Sequence, residues 1–350
     1  MANFSGHNLT LVGSSLYCYG GYFFEKYNTT VRVMETGTRT TLESDMKNAF
    51  ITNDFADVTF RFPNEDNALI KAHKIVLASR SQKFRDLLQG RDEEGLTIDI
   101  NDIPRELFQV LMELCYTDHL TSCPHRAQQL LSLVKAYIPQ SYKRTLACLI
   151  QKGKVASSLG DDLRQNALGS PLFSDVIFEV EGRDVPCHKV VITSRCPQFQ
   201  AMFLSGMRES TAEKIPLDLH YPIFLMFLEF LYTDDVDFAK VSPDDVIELL
   251  GVANQYTLDQ LTDRCDRELQ KFIDFENVVV LFQAASLYHA ERLRSSCVKF
   301  ILRSYDKLEK EGVLEQLSED VVEELNLLKE NMDTDKYSSS LQGPVLPRAV

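Results

Sequence analysis

Apolar residues at Val176, Phe178 and Val180 alternate with Ile177, Glu179 and Glu181, and this period of two marks a half-buried strand. The run stops at Gly182-Arg183-Asp184 and resumes with Val185 and Cys187, which predicts a hairpin. Residues 188–203 then predict a helix, Pro216-Leu217-Asp218-Leu219 a further short strand, and residues 222–232 an apolar helix. Ser242-Pro243-Asp244-Asp245 reads as a helix start, with Ser as N-cap, Pro in the first turn and acids at the positive end of the dipole. The stripe Val246, Leu250, Ala253, then Leu258, Leu261, Cys265, Leu269 steps by three and four, so two amphipathic helices follow. The expected architecture is α+β, a small sheet flanked by a cluster of helices.

The same pattern occurs earlier in the chain. Phe55-Ala56-Asp57-Val58-Thr59-Phe60 is answered by Phe173-Ser174-Asp175-Val176-Ile177-Phe178, and His73-Lys74-Ile75-Val76-Leu77-Ala78-Ser79-Arg80 by His188-Lys189-Val190-Val191-Ile192-Thr193-Ser194-Arg195. His73 to His188 and Phe84 to Phe199 both span 115 residues, and Tyr116-Thr117-Asp118 returns as Tyr232-Thr233-Asp234. Blocks that keep their order and spacing over this period indicate a duplicated domain, since solenoid units repeat every 20–50 residues or so. A length of 350 residues suits two or three domains.

Composition narrows the function classes. The net charge of −14 disfavours nucleic acid or anionic lipid as a partner, because both require clustered Lys and Arg. The eight cysteines carry no Cys-x-x-Cys pair and no zinc spacing, so they read as reduced core thiols, and no metal or other cofactor is expected. Neither a membrane span nor a secretory signal is visible, and the expected location is cytoplasmic, nuclear or both. No phosphate loop, nucleophile elbow or His-Glu-x-x-His is present, which lowers the enzyme class. His73 and His188 fall at strand-to-helix junctions and read as structural hydrogen-bonding groups.

Asp-Val-x-Phe, the His-Lys opening a Val/Ile-rich helix, Ser-Arg-x-x-x-Phe and Tyr-Thr-Asp resemble the BTB/POZ family, and both copies carry them. The resemblance implies BTB/POZ domains at residues 50–152 and 170–272, joined by a linker at 153–169. Residues 273–330 resemble the helical BACK extension through Asn277-Val278, Leu281, Ala284-Ala285, Tyr288, Leu293, Cys297 and Phe300. Residues 1–45, with Leu9-Thr10-Leu11-Val12-Gly13 and Leu16-Tyr17-Cys18-Tyr19-Gly20-Gly21, resemble a partial kelch blade, either a remnant or an edge hairpin. The acidic stretch 315–324 has the pattern of a solvated helix with one buried stripe, and 331–350 reads as a disordered tail. In architecture the chain is most similar to the leucine-zipper-like transcriptional regulator group.

That resemblance implies a non-catalytic adaptor that dimerises through BTB and docks the cullin-3 scaffold of a ubiquitin ligase, with a protein substrate the sequence does not identify. The family's docking motif, a hydrophobic residue, any residue, then Glu, is matched by Met207-Arg208-Glu209 after Phe203. The first copy has Arg91-Asp92-Glu93 at that place, and Arg is a poor apolar anchor. Asp57 with Lys74 and Asp175 with Lys189 match a charged pair that lines a dimer groove in some members; ordinary structural or surface charges are an equally good reading. The rival function is a dimerising scaffold in transcriptional or cytoskeletal regulation without ligase activity.

Overall fold

A computed structural model describes residues 8–12, 15–19, 22–23, 26–27, 32–35, 41–91, 95–120, 126–149, 157–205, 212–239 and 241–340, with only the backbone path before 41 and from 330 onward. The chain divides into two compact units, residues 1–173 with 232–234, and residues 174–231 with 235–350.

In the first unit β1 (Asn8–Val12), β2 (Ser15–Tyr19) and β5 (Arg32–Glu35) form an antiparallel sheet in the order β1-β2-β5, and β3 (Tyr22–Phe23) and β4 (Lys26–Tyr27) form a separate two-stranded pair. Helix α1 (Leu42–Thr52) follows. The second sheet pairs β6 (Val58–Phe62) antiparallel with β7 (Ala68–Ala72) and parallel with β8 (Leu96–Asp99). Val58, Phe60 and Phe62 point into the core, while Arg61 on the other face forks onto Asp99 at 2.6 and 2.9 Å, its register partner. Helices α2 (Lys74–Arg80), α3 (Gln82–Leu88), α4 (Arg105–Thr117), α5 (Ala127–Tyr137), α6 (Tyr142–Leu149) and α7 (Leu159–Asn166) complete the unit.

The second unit repeats the plan. β9 (Val176–Val180) pairs antiparallel with β10 (Arg183–Cys187) and parallel with β11 (Lys214–Leu217), and α8 (Lys189–Arg195), α9 (Pro197–Leu204) and α10 (Tyr221–Thr233) stand where α2, α3 and α4 stand in the first copy. Each copy centres on the same three rings. Phe60 and Phe84 flank Phe108 with centroids 4.8 and 6.3 Å from it, and Phe178 lies 5.2 Å from Phe199 and 5.6 Å from Phe224. All six are buried, and aromatic pairs add about 0.5–1.5 kcal/mol beyond the area they remove from water. The repeated phenylalanines of the sequence are therefore the core itself.

Several expectations are corrected. The hairpin turn is only Glu181-Gly182, both at positive φ (49° and 73°), so Arg183 already pairs with Val180; two left-handed residues make the tight turn whose twist suits a hairpin. The helix expected over 188–203 breaks at Cys196, which is extended (φ −130°, ψ 111°) because Pro197 disfavours a helical residue before it. The first copy breaks at the same place by another device: Ser81 is extended and its Oγ accepts from the Phe84 N–H at 3.2 Å, capping α3. The stretch 153–169 holds α7, whose Leu159 and Leu163, with Ala167 beyond its end, are fully buried and tie it to the first unit.

Ser242 caps α11 (Pro243–Gln255) as its sequence indicated, accepting from the Asp245 N–H at 3.1 Å, and α12 (Asp259–Leu269) follows with its stripe buried. Beyond it lie α13 (Val278–Leu287), α14 (Glu291–Arg303), α15 (Tyr305–Lys310), a 3₁₀ turn (Val313–Gln316) and α16 (Glu319–Ser340). The acidic stretch 315–324 is thus a turn, a break at Leu317, and the start of a helix. The backbone is helical to Ser340, so the expected tail at 331–350 is helical over its first ten residues, and 341–350 lie outside the described residues.

Candidate protein-interaction site

The strand-to-helix junction of each copy is built from its repeated motif. Phe55 and Phe173 take positive φ (61° and 57°), a conformation unfavourable for a bulky side chain that persists only where the surroundings enforce it. In both copies the next-but-one residue is Asp, and its carboxylate reaches the first turn of the following helix. Asp57 Oδ1 accepts from the Lys74 backbone N–H, and Asp175 Oδ1 from that of Lys189, each at 2.7 Å. A carboxylate at a helix N-terminus satisfies an otherwise orphaned donor and meets the positive end of the dipole. The two Asp–Lys couples are therefore brought together, but through the lysine backbone.

Their lysine side chains differ. Lys74 is 5% exposed, its Nζ donating to the Arg91 carbonyl at 2.8 Å and lying 5.8 Å from the centre of the Phe173 ring. Lys189 is partly exposed, with its Nζ 5.1 Å from the centre of the Phe203 ring. Phe203 itself is buried, 4% exposed, whereas Leu204 beside it is 51% exposed. At the end of α9, then, Phe203 is an anchor seen from inside, and the surface apolar residue is Leu204, which sequence reasoning missed. Met207, Arg208 and Glu209, like Asp92 and Glu93 of the first copy, lie outside the described residues.

His73 is fully satisfied. Its Nε2 lies 2.8 Å from the Asp54 carbonyl, its Nδ1 2.7 Å from the Tyr116 hydroxyl, and its backbone N–H donates to that hydroxyl at 2.9 Å. This fixes the tautomer: Nε2–H donates to Asp54, and the Tyr116 O–H donates to Nδ1. Burial lowers the His73 pKa from 6.5 to about 4 against the smaller opposing pull of Asp54, so the ring is neutral at pH 7.

The repeated Ser-Arg and Tyr-Thr-Asp motifs of the first copy meet in one buried polar cluster through Arg80 and Asp118. Arg80 bonds Asp118 and Asp162 through separate guanidinium nitrogens and Ser141 and Ser158 at 3.0 Å each. Asp118 further accepts from Ser141 Oγ (2.7 Å), Ser157 Oγ (2.9 Å), the Ser158 N–H (2.8 Å) and Arg144 (2.9 Å). Asp118 sits at φ 58° as the left-handed cap of α4, a conformation Asp tolerates well. Burial alone would raise its pKa, but Arg80, the Ser141 and Ser158 hydrogen bonds and Arg144 outweigh it and hold the carboxyl below its ordinary range. Around it, burial pushes the Cys115 thiol up to about 12, which leaves it unreactive. Among the described residues, no group of three or more His, Cys, Asp or Glu is arranged to hold a metal, and no helix is long and apolar enough to cross a membrane.

The model of the BTB/POZ domain matches residues 46–152 and again 164–273, together well over half of the chain. The chain belongs to the BTB/POZ family. Among curated BTB/POZ relatives, BTB/POZ domain-containing protein 9 of Drosophila melanogaster is 31% identical over 153 residues, 44% of this chain and 21% of that protein. Inhibitor of Bruton tyrosine kinase of Homo sapiens is 31% identical over 178 residues, 47% of this chain and 13% of that protein. The alignment with the first of these thus spans about a fifth of the relative's length. Among solved structures, the BTB domain of zebrafish PATZ1 matches with 21% identity over 32% of this chain and 85% of that one, at a TM-score of 0.26. BTB/POZ proteins are generally protein-interaction modules.

Proposed function

We propose that this chain carries two BTB/POZ domains in tandem and is a scaffold or substrate-recognition subunit of a cullin-3 ubiquitin ligase, docking the cullin through its second copy. The observation that carries the reading is Met207-Arg208-Glu209, a hydrophobic-x-Glu triplet that follows directly on α9, where Leu204 presents an apolar surface backed by the buried Phe203. Met adapts to a shallow apolar pocket, and Glu accepts directional charge-assisted hydrogen bonds. Arg208 is the motif's unrestricted middle position, and Phe203 acts by fixing the end of the helix.

BTB pairing, within the chain or between chains, uses the junctions at Asp57 and Asp175. The Asp175–Lys189 junction suits a partner better, because Lys189 remains partly exposed while Lys74 is buried. Residues 273–330 serve as a BACK-like support and 1–45 as a kelch-like accessory.

The test is co-purification of the intact chain with cullin-3, beside Met207→Asp and Glu209→Lys. Each substitution is expected to weaken binding by more than about tenfold, the size of an interface hot spot, with the thermal transition unchanged. Unchanged affinity in both variants would remove the reading. An intact chain that self-associates yet never retains cullin-3 would favour the dimerising scaffold in transcriptional or cytoskeletal regulation.

A further inference from the structure

In the second unit, α15, the 3₁₀ turn and the start of α16 enclose an open groove of about 560 Å³. That lies within the roughly 300–1,000 Å³ of ordinary ligand sites. Its floor is apolar: Tyr305, Leu314, Leu317 and Val322. Its charged rim is acidic, formed by Glu309, Glu315, Glu319 and Glu323, all exposed, and the one other polar side chain, Asn326, accepts from the Tyr305 hydroxyl.

Among the described residues none of these four glutamates takes part in an ion pair, and cations of the same helices are engaged elsewhere. Lys307 lies 3.9 Å from Glu311 and stacks on Phe275, and Arg294 holds Glu324 at 3.0 Å. Lys329 holds Asp306 at 2.7 Å, lies 4.2 Å from the centre of the Tyr305 ring and interacts electrostatically with Glu309 without pairing with it. Lys310 follows Glu309 on α15 but does not line the groove. Glu319 and Glu323, one turn apart on α16, are like charges on one helix face, an arrangement that costs local stability when nothing compensates it. An apolar trough edged by four glutamates, with Lys329 offsetting only part of their charge from the Tyr305 end, is complementary to one kind of surface.

We infer that this groove docks a protein segment in which one or two apolar side chains are flanked by Lys or Arg, the apolar groups seating on Leu314, Leu317 and Val322 and the cations on the glutamates. The net charge of −14 supplies long-range attraction for such a partner, and the rim gives it register. The groove shares no residue with Met207-Arg208-Glu209, so the fate of the cullin reading does not decide this one.

The test titrates the full chain into a fluorophore-labelled amphipathic peptide of Leu and Lys and into its Leu and Glu counterpart, following anisotropy at low and high salt. The Lys peptide is expected to bind and to weaken with salt, and the Glu peptide not to bind. Glu309→Lys with Glu323→Lys is expected to weaken the Lys peptide by about tenfold or more and to admit the Glu peptide, and Glu309→Gln with Glu323→Gln to fall between. Circular dichroism melting reports whether each variant is folded. Equal binding of the two peptides by the parent chain, or affinity for the Lys peptide untouched in both folded variants, would overturn the inference.

Discussion

Two buried residues set how the first unit responds to acid, and they act in different windows. His73 is neutral when folded, with a pKa of about 4 against an ordinary 6.5, so the unfolded chain binds the extra proton first. Its contribution is whole above pH 6.5 and is lost as pH falls from 6.5 to about 4, up to roughly 3 kcal/mol. His73→Gln should flatten the dependence of the urea midpoint on pH across that interval; a slope identical to the parent's would refute the assignment. Asp118 has a depressed pKa, so its contribution is present above the unfolded carboxyl value of about 3.9 and is lost only below it. Arg80→Met leaves Asp118 buried with its main counter-charge gone, and denaturant unfolding should record a loss of about 3–5 kcal/mol. Asp118→Asn keeps the left-handed cap and part of the hydrogen bonding, and should cost less.

At the scale of elements, the repeat was legible because its carriers are large. The phenylalanines of both triads, the Asp that caps the next helix and the Ser242 cap each have one physical use and a residue type that fits it. What the sequence hid were boundaries. The apolar period runs on through Cys196, so the break before Pro197 depends on a backbone clash that hydrophobicity does not register. Helix α7 is short and its buried Leu159 and Leu163 stand among Asp, Arg and Gln, a stripe easily taken for a linker. In α9 the run Ala201-Met202-Phe203-Leu204 is apolar throughout, so periodicity could not say that Phe203 faces inward and Leu204 outward. The two devices that break the α2–α3 and α8–α9 pairs can be told apart by experiment. Ser81→Ala removes a side-chain cap and should cost about 1 kcal/mol in the first copy, read from the same urea unfolding, whereas Cys196→Ala, where Pro197 enforces the break, should leave its position unchanged.

At the scale of the whole molecule, the question is whether duplication doubled a function or divided it. The two copies share sheet topology, aromatic core and capping Asp, yet they differ where a partner would touch them. The second copy ends α9 on exposed Leu204, with Met207-Arg208-Glu209 next in sequence; the first offers exposed Arg91, whose carbonyl is already bound by the buried Lys74. Seating a guanidinium in an apolar pocket means stripping it of water without a matching acceptor, a penalty that a methionine does not meet. Under the proposed function the labour is divided, the second copy docking the cullin and the first left to pair. Light scattering of the purified complex at saturating cullin-3 should therefore give a single cullin per chain. Met207→Asp should abolish the complex outright, and Arg91→Met should add a weaker second site. Two cullins bound per parent chain would mean that the copies are equivalent despite Arg91, and the anchor argument would have to be given up.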